Sequence, residues 1–241
     1  MKKYIIKAIY LLLITVLAHS WVIKSNAQIR SNTFLGKVNN WSGKDISVKV
    51  EEGSENVWVG GYMYLGKYNK ETNNMSFLSP INSPLPGYGV TALEVTSAGT
   101  VWVATRNGIG RKSDEGWRTF TKENSPLTTN KITAIKSNEK ITVIGTNDGL
   151  FKKNGEKWEV FKSNNSNLQV NKITSVGIIN NNEIWVGQNG TLYYLSRVGD
   201  NTPYNEGYIN STGYSPVNEI TVGPSDTVWV GYEGKGVIKY I

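Results

Sequence analysis

The chain has 241 residues, with 26 Lys and Arg against 19 Asp and Glu, one His and no Cys. Without cysteine there is no disulfide framework, thiol nucleophile or thiolate metal site. The one histidine, His19, lies in the N-terminal segment taken next; without it, Ser-His-Asp triads, Cys-His pairs and imidazole zinc or copper sites are also excluded.

Residues 1–27 open with Lys2, Lys3 and Lys7, run apolar from Ala8 to Ala18, and end on the small-residue spacing Ser25-Asn26-Ala27. The apolar run is short for a membrane about 30 Å thick, so the segment reads as a secretory signal cleaved before Gln28. Losing Lys2, Lys3, Lys7 and Lys24 takes the basic count from 26 to 22 against 19 acids, a net charge near +3. That balance suits solubility and not nucleic-acid binding, and no membrane insertion is expected after cleavage.

From Gln28 onward the chain repeats one phrase. A first apolar segment, "SNTFL" at residues 31–35, stands alone, and Trp41 follows outside any register. Four further segments then recur in each unit: a β-branched residue followed by a hydroxyl, an anchor with a small residue two places on, an apolar alternation after a polar turn, and a closing aromatic or leucine. In chain order the first pairs are Ile46-Ser47, Val90-Thr91, Ile132-Thr133, Ile173-Thr174 and Ile220-Thr221. The anchors are Trp58, Trp102, Val143, Trp185 and Trp229, spaced by 44, 41, 42 and 44 residues. The small residues are Gly60, Ala104, Gly145, Gly187 and Gly231, and units close on Leu78, Phe120 and Phe161. Alternation over four to six residues predicts strands, and the Gly/Asn/Asp/Ser/Pro separators predict turns. Four strands in about 42 residues is the content of one propeller blade. The fold class is therefore all-β, a single five-bladed β-propeller spanning residues 28–241. The last unit supplies three strands, and Phe34 precedes Trp58 by 24 residues, as Phe161 precedes Trp185, so residues 31–35 are expected to close the last blade. The anchors are expected in the core between blades.

The phrases "NSPLTTNKITAIKSNEKITVIGTNDGLF" and "NSPLPGYGVTALEVTSAGTVWVATRNGIG" resemble the two-component regulator propeller repeat of Bacteroidetes-type sensor and secreted proteins. The resemblance implies recognition of extracytoplasmic ligands, often glycans, and not catalysis.

The turns after the anchor strands are the candidate contact surface, because equivalent turns of a ring share one face while their side chains differ. Tyr62, Tyr64 and Tyr232 offer stacking surfaces; Arg106, Asn107, Asn147, Asp148, Gln188 and Glu233 offer directional polar groups. Such a mixture suits sugars and other polar ligands. Asn-Gly and Asp-Gly are also what tight hairpins with positive φ demand. Tyr232, placed in a turn, is expected to contribute little to stability. Carboxylates are the remaining route to acid–base chemistry, with Asp148 and Glu233 in the converging turns and Asp114, Glu115, Glu51 and Glu52 elsewhere. No metal or other cofactor is expected. The reading is a secreted or periplasmic, non-catalytic binding module for an extracellular glycan or peptide-like ligand. A protein–protein scaffold in an envelope or secretion assembly is the alternative, and a carboxylate-dependent glycoside hydrolase or lyase the third.

Overall fold

The computed structural model describes residues 47–138, 140–197, 204–210 and 215–240. The signal segment, Phe34, Trp41 and the closing strand expected at residues 31–35 lie outside them. The described residues form five antiparallel sheets, four with four strands and one with three, each in simple sequential order. They are the blades of a five-bladed β-propeller. Blade 1 holds β1 (Ser47–Val50), β2 (Asn56–Gly60), β3 (Leu65–Asn69) and β4 (Asn74–Leu78). Blade 2 holds β5 (Val90–Val95), β6 (Val101–Thr105), β7 (Gly108–Ser113) and β8 (Gly116–Phe120). Blade 3 holds β9 (Ile132–Ser137), β10 (Ile141–Thr146), β11 (Gly149–Asn154) and β12 (Lys157–Phe161). Blade 4 holds β13 (Ser175–Asn180), β14 (Glu183–Gly187), β15 (Leu192–Ser196) and β16 (Asn205–Asn210). Blade 5 holds β17 (Val217–Val222), β18 (Val228–Tyr232) and β19 (Gly236–Tyr240), with a single 3-10 turn at Pro224–Asp226.

Three anchors cluster with the first strand of the next blade. Trp58 meets Val90, Leu93 and Val103; Trp102 meets Ile132 and Ile135; Val143 meets Ile173 and Val176. Trp58 is 2% exposed, and its indole N–H donates to Glu51 Oε2 at 2.9 Å, so burial leaves no polar atom wanting. Trp185 is half-buried and packs edge-on against Tyr240, with ring centres 5.3 Å apart. Trp229 departs from the expected core role: it is 44% exposed, with the Lys239 ammonium over its ring. The small column explains itself physically. A Cβ on Gly145 would lie 2.7 Å from Ile173 Cγ2, and one on Gly187 would lie 2.6 Å from Val217 Cγ1. Larger residues there would hold neighbouring blades apart.

The first-strand column needs correction in blade 5, and its member in blade 1, Ile46, lies outside the described residues. Val90, Ile132 and Val217 pair with Thr105, Thr146 and Tyr232, the last residues of the anchor strands. Ile220 instead pairs with Val230, three positions further along. Ser47 pairs with Gly60, the place Ala92 takes opposite Ala104. Val217 lies 12 residues before Trp229, as Val90 lies before Trp102 and Ile173 before Trp185, so the β-branched–hydroxyl pair at Ile220-Thr221 marks a position three residues too late.

Candidate functional site

Blades 1, 2 and 3 each send two segments to the same face: the turn between the second and third strands, and the connection from the fourth strand to the next blade. The turns in blades 2 and 3 are self-contained. Thr105 Oγ1 donates to Gly108 O and accepts from Asn107 N, and Thr146 Oγ1 repeats this with Gly149 O and Asp148 N. Gly108 and Gly149 sit at φ 127° and 124°, where a side chain would be strained.

The connections carry a lock that composition did not disclose. Asn82, Asn124 and Asn165 each accept from a backbone N–H three residues earlier, at 2.7 Å. Each also donates back to a strand carbonyl, that of Phe77, Thr119 or Val160. Ser83, Ser125 and Ser166 donate to the same turns. The following Leu85, Leu127 and Leu168 are buried between blades. The visible signal was the recurring Asn-Ser-x-Leu. Its Asx-type bonding makes each connection rigid, so side chains mounted there are held in place.

Against this frame the nine candidate contact residues separate. Tyr62 is 48% exposed, and the Arg106 guanidinium of blade 2 lies 4.9 Å over its ring. Tyr64 is exposed in the same turn and meets Phe77 edge-on. Asn107 is exposed and stands against Gly87, whereas Asn147 is exposed and its backbone N–H is tied to Lys131 O. Asp148 is a clamp. It accepts from Lys162 Nζ at 2.7 Å, Thr128 Oγ1 at 2.8 Å and Asn171 Nδ2 at 3.2 Å, joining the connections on either side of blade 3. The Lys162 bond, then that from Thr128, hold its carboxyl below the usual carboxylate range. Gln188 is 1% exposed, with its amide donating to Val170 O, so it faces inward and not toward a ligand. Tyr232 is 5% exposed, packs with Val217, Ile220 and Val230, and shares a 3.1 Å hydrogen bond with Tyr240. It serves the interior, contrary to its expected place at the surface, because the strand β18 runs through it before the turn begins. Glu233 is exposed, with its N–H on Pro216 O. The structure thus brings Tyr62, Tyr64, Arg106 and Asn107 together at the blade 1–blade 2 corner, and spends Asp148, Gln188 and Tyr232 on the scaffold.

Four charges meet at the axis. Lys49 of β1 pairs with Glu94 of β5 at 2.9 Å, Lys136 of β9 reaches Glu94 at 3.7 Å, and Lys136 also reaches Glu219 of β17 at 3.4 Å. The last contact skips blade 4, where Gly177 stands opposite the anchor Trp185 and presents no charge, and where a Cβ would lie 2.6 Å from Ile220 Cγ2. Burial works against charge on Lys136, but Glu94 and then Glu219 outweigh it and hold its pKa above the ordinary value. For Lys49, burial and then Lys136 win, and its pKa is lowered. On the opposite rim a shallow depression of about 410 Å³ is lined by Asn180, Asn181, Asn182, Glu183, Ser196 and Arg197. Beside it Lys152, almost fully buried, donates to Asn181 O and Tyr204, and Arg197 binds Glu159 at 2.9 Å. Among the described residues no three acidic or imidazole side chains come together to hold a metal.

No family model matches the chain, and no curated protein matches it. Solved structures do share its fold. The extracellular domain of a putative hybrid two component system from B. thetaiotaomicron superposes with a TM-score of 0.63 at 17% identity, covering 81% of this chain and 27% of that one. PorZ, a bacterial surface component of the type-IX secretion system of Porphyromonas gingivalis, gives 0.60 at 14% identity, covering 85% and 34%. Virginiamycin B lyase from Staphylococcus aureus gives 0.56 at 20% identity, covering 80% and 68%. The chain thus spans about a third or less of the first two. The chain is a five-bladed propeller, and at these identities the likeness speaks to fold alone. An extracellular domain of a two component system, a secretion component and a lyase are all similar to it, so function must be argued from the site.

Proposed function

We propose that the protein is a secreted or periplasmic, non-catalytic recognition module that binds an extracytoplasmic glycan or peptide-like ligand through the turn face, as the two-component regulator propellers it resembles are thought to do. One observation carries this reading: Tyr62, Tyr64 and Arg106 stand exposed together at one corner, with the Arg106 guanidinium 4.9 Å over the Tyr62 ring, whereas Asp148, Gln188 and Tyr232 of other turns are tied into the scaffold. Aromatic faces beside a fixed cation suit recognition and contribute no proton transfer. Asp148 is held ionised by three donors, the opposite of what a general acid requires. The extracellular setting of the sensor-domain neighbour supports the address. Mass spectrometry of the mature protein should show an N-terminus at Gln28. Glycan and peptide arrays should give binding to the full mature chain that Tyr62→Ala lowers at least tenfold while melting is unchanged; binding indifferent to Tyr62 would defeat the proposal. The likeness to PorZ favours one second reading, a scaffold in an envelope or secretion assembly. It replaces the first if no array ligand binds and one envelope protein co-purifies in fixed stoichiometry.

A further inference from the structure

Charge is not spread evenly over the molecule. The turn face is built from the connections 79–89, 121–131 and 162–172 and the turns 61–64, 105–108, 146–149, 188–191 and 232–235. The Val217 N–H on Gln188 O and the Glu233 N–H on Pro216 O bring the last two turns to it. These segments hold six Lys and Arg against three Asp and Glu. The rest of the chain from residue 28 onward holds sixteen of each, so the positive excess belongs to these segments. Two of their three acids are matched within the face, Asp148 with Lys162 at 2.7 Å and Glu123 with Lys122 at 3.9 Å. The hub charges, two of each sign, match one another. Arg106, Lys131 and Lys172 are exposed, and among the described residues no carboxylate comes within ion-pair distance of them.

The three cations follow the repeat. Lys131 and Lys172 stand one residue before Ile132 and Ile173, where the chain enters blades 3 and 4. Blade 2 has Gly89 at that place, and Arg106 lies across it: a Cβ on Gly89 would be 2.8 Å from Arg106 Nε. Three successive blades thus present a cation at one equivalent place, an arc that begins where Arg106 covers Tyr62. A rim of one sign opposes compactness and attracts an opposite charge. The fold does not call for it, since blade 5 is entered through Pro216. The backbone of the arc is spent: Arg106 N–H donates to Tyr88 O, Asn147 N–H to Lys131 O, and Ile173 N–H to Thr146 O. A peptide that adds as a strand needs open main-chain groups. Recognition here runs through side chains, with the exposed amides of Asn107 and Asn147 beside the cations and the exposed Tyr62 ring at one end. Amides bond hydroxyls, and an aromatic ring covers the apolar face of a sugar. We propose that this arc binds an acidic glycan, with its carboxylate or sulfate groups on Arg106, Lys131 and Lys172 and its hydroxyls on Asn107 and Asn147. This rests on the turn face being a recognition surface and narrows its ligand to an anionic sugar chain.

The test titrates the full mature chain at low salt with fluorescent oligogalacturonate and chondroitin sulfate oligosaccharides. Methyl-esterified oligogalacturonate is the neutral control, desulfated chondroitin tells carboxylate from sulfate, and poly-L-glutamate stands for an acidic peptide. At least one acidic glycan should bind about tenfold tighter than the esterified chain. Lys131→Gln and Lys172→Gln should each weaken it about threefold to fivefold, the range of an exposed ion pair, and together about tenfold, with melting unchanged. Lys157→Gln removes the same charge from the outer strand β12, where it is exposed, and should leave binding as it was. Absence of binding by every acidic glycan overturns the inference. Equal weakening by Lys157→Gln also overturns it, since attraction then follows net charge and not the arc. Poly-L-glutamate held by the same cations while the glycans are ignored overturns the sugar and leaves an acidic-peptide site. A neutral sugar whose binding falls with Tyr62→Ala and ignores Lys131→Gln and Lys172→Gln overturns the acid while the recognition reading stands.

Discussion

Substituting Gly145 by alanine tests how the blades are spaced. The added methyl would lie 2.7 Å from Ile173 Cγ2 and 3.1 Å from Ile173 Cβ, and Ile173 is fully buried. Gly145 lies in mid-strand without positive φ, so the obstacle is space and not backbone conformation. Overpacking of this kind costs about 1–3 kcal/mol. Alanine narrows the unfolded ensemble and returns about 0.4–1 kcal/mol. The net expectation is a loss of about 1–2 kcal/mol, which for a chain of this size lowers the melting temperature by about 2–8 °C. Calorimetry or circular dichroism at neutral pH reads it directly. The cause is isolated by repeating the change in an Ile173→Ala background, where the clashing Cγ2 is gone. There the penalty should shrink by about 1 kcal/mol, the coupling expected of residues in contact. A melting temperature that rises with Gly145→Ala, or the same penalty in both backgrounds, would refute the account of the small column.

Three other outcomes follow from the same geometry. Trp58→Ala should cost about 3–5 kcal/mol and Tyr232→Ala about 3 kcal/mol by chemical denaturation, while Trp229→Ala, already 44% exposed, should cost less than half as much as Trp58→Ala. Asp148 has a depressed folded pKa, so its stabilisation is complete above the unfolded value near pH 4 and is lost as pH falls through the folded value. The difference in stability between the native chain and Asp148→Asn should therefore be flat above about pH 4 and shrink in more acidic denaturation series. Lys136→Met removes the cation between Glu94 and Glu219 and should cost about 1–3 kcal/mol, with Glu94→Gln in the same background restoring part of it.

Blade number, strand order and the anchor-to-interface logic were legible because each depends on spacing: Trp58, Trp102 and Val143 recur at the pitch of a blade and land on the next blade's first strand. A local residue pattern was the weaker guide: Ile220-Thr221 matches the β-branched–hydroxyl pair, but Val217 keeps the 12-residue offset from the anchor and takes the column's place. Which candidate side chains reach the surface was half legible. A turn's place in the chain says that it reaches the face, and this holds for Tyr62, Tyr64 and Arg106. It does not say which way a side chain turns: Gln188 points at Val170 O, and Tyr232 belongs to its strand. Asp148 looked like a free acid because its partners Thr128, Lys162 and Asn171 lie 14 to 23 residues away.

The axial charges give the ring an address system. Blade 1 presents a cation at the hub, blade 2 an anion, blade 3 a cation, blade 4 a glycine gap and blade 5 an anion. Although the outer three strands of any unit could be exchanged for another's with little offence, a first strand moved from a cationic place to an anionic one would set like signs side by side. The blades are copies in shape, and the hub sorts them by the sign each presents.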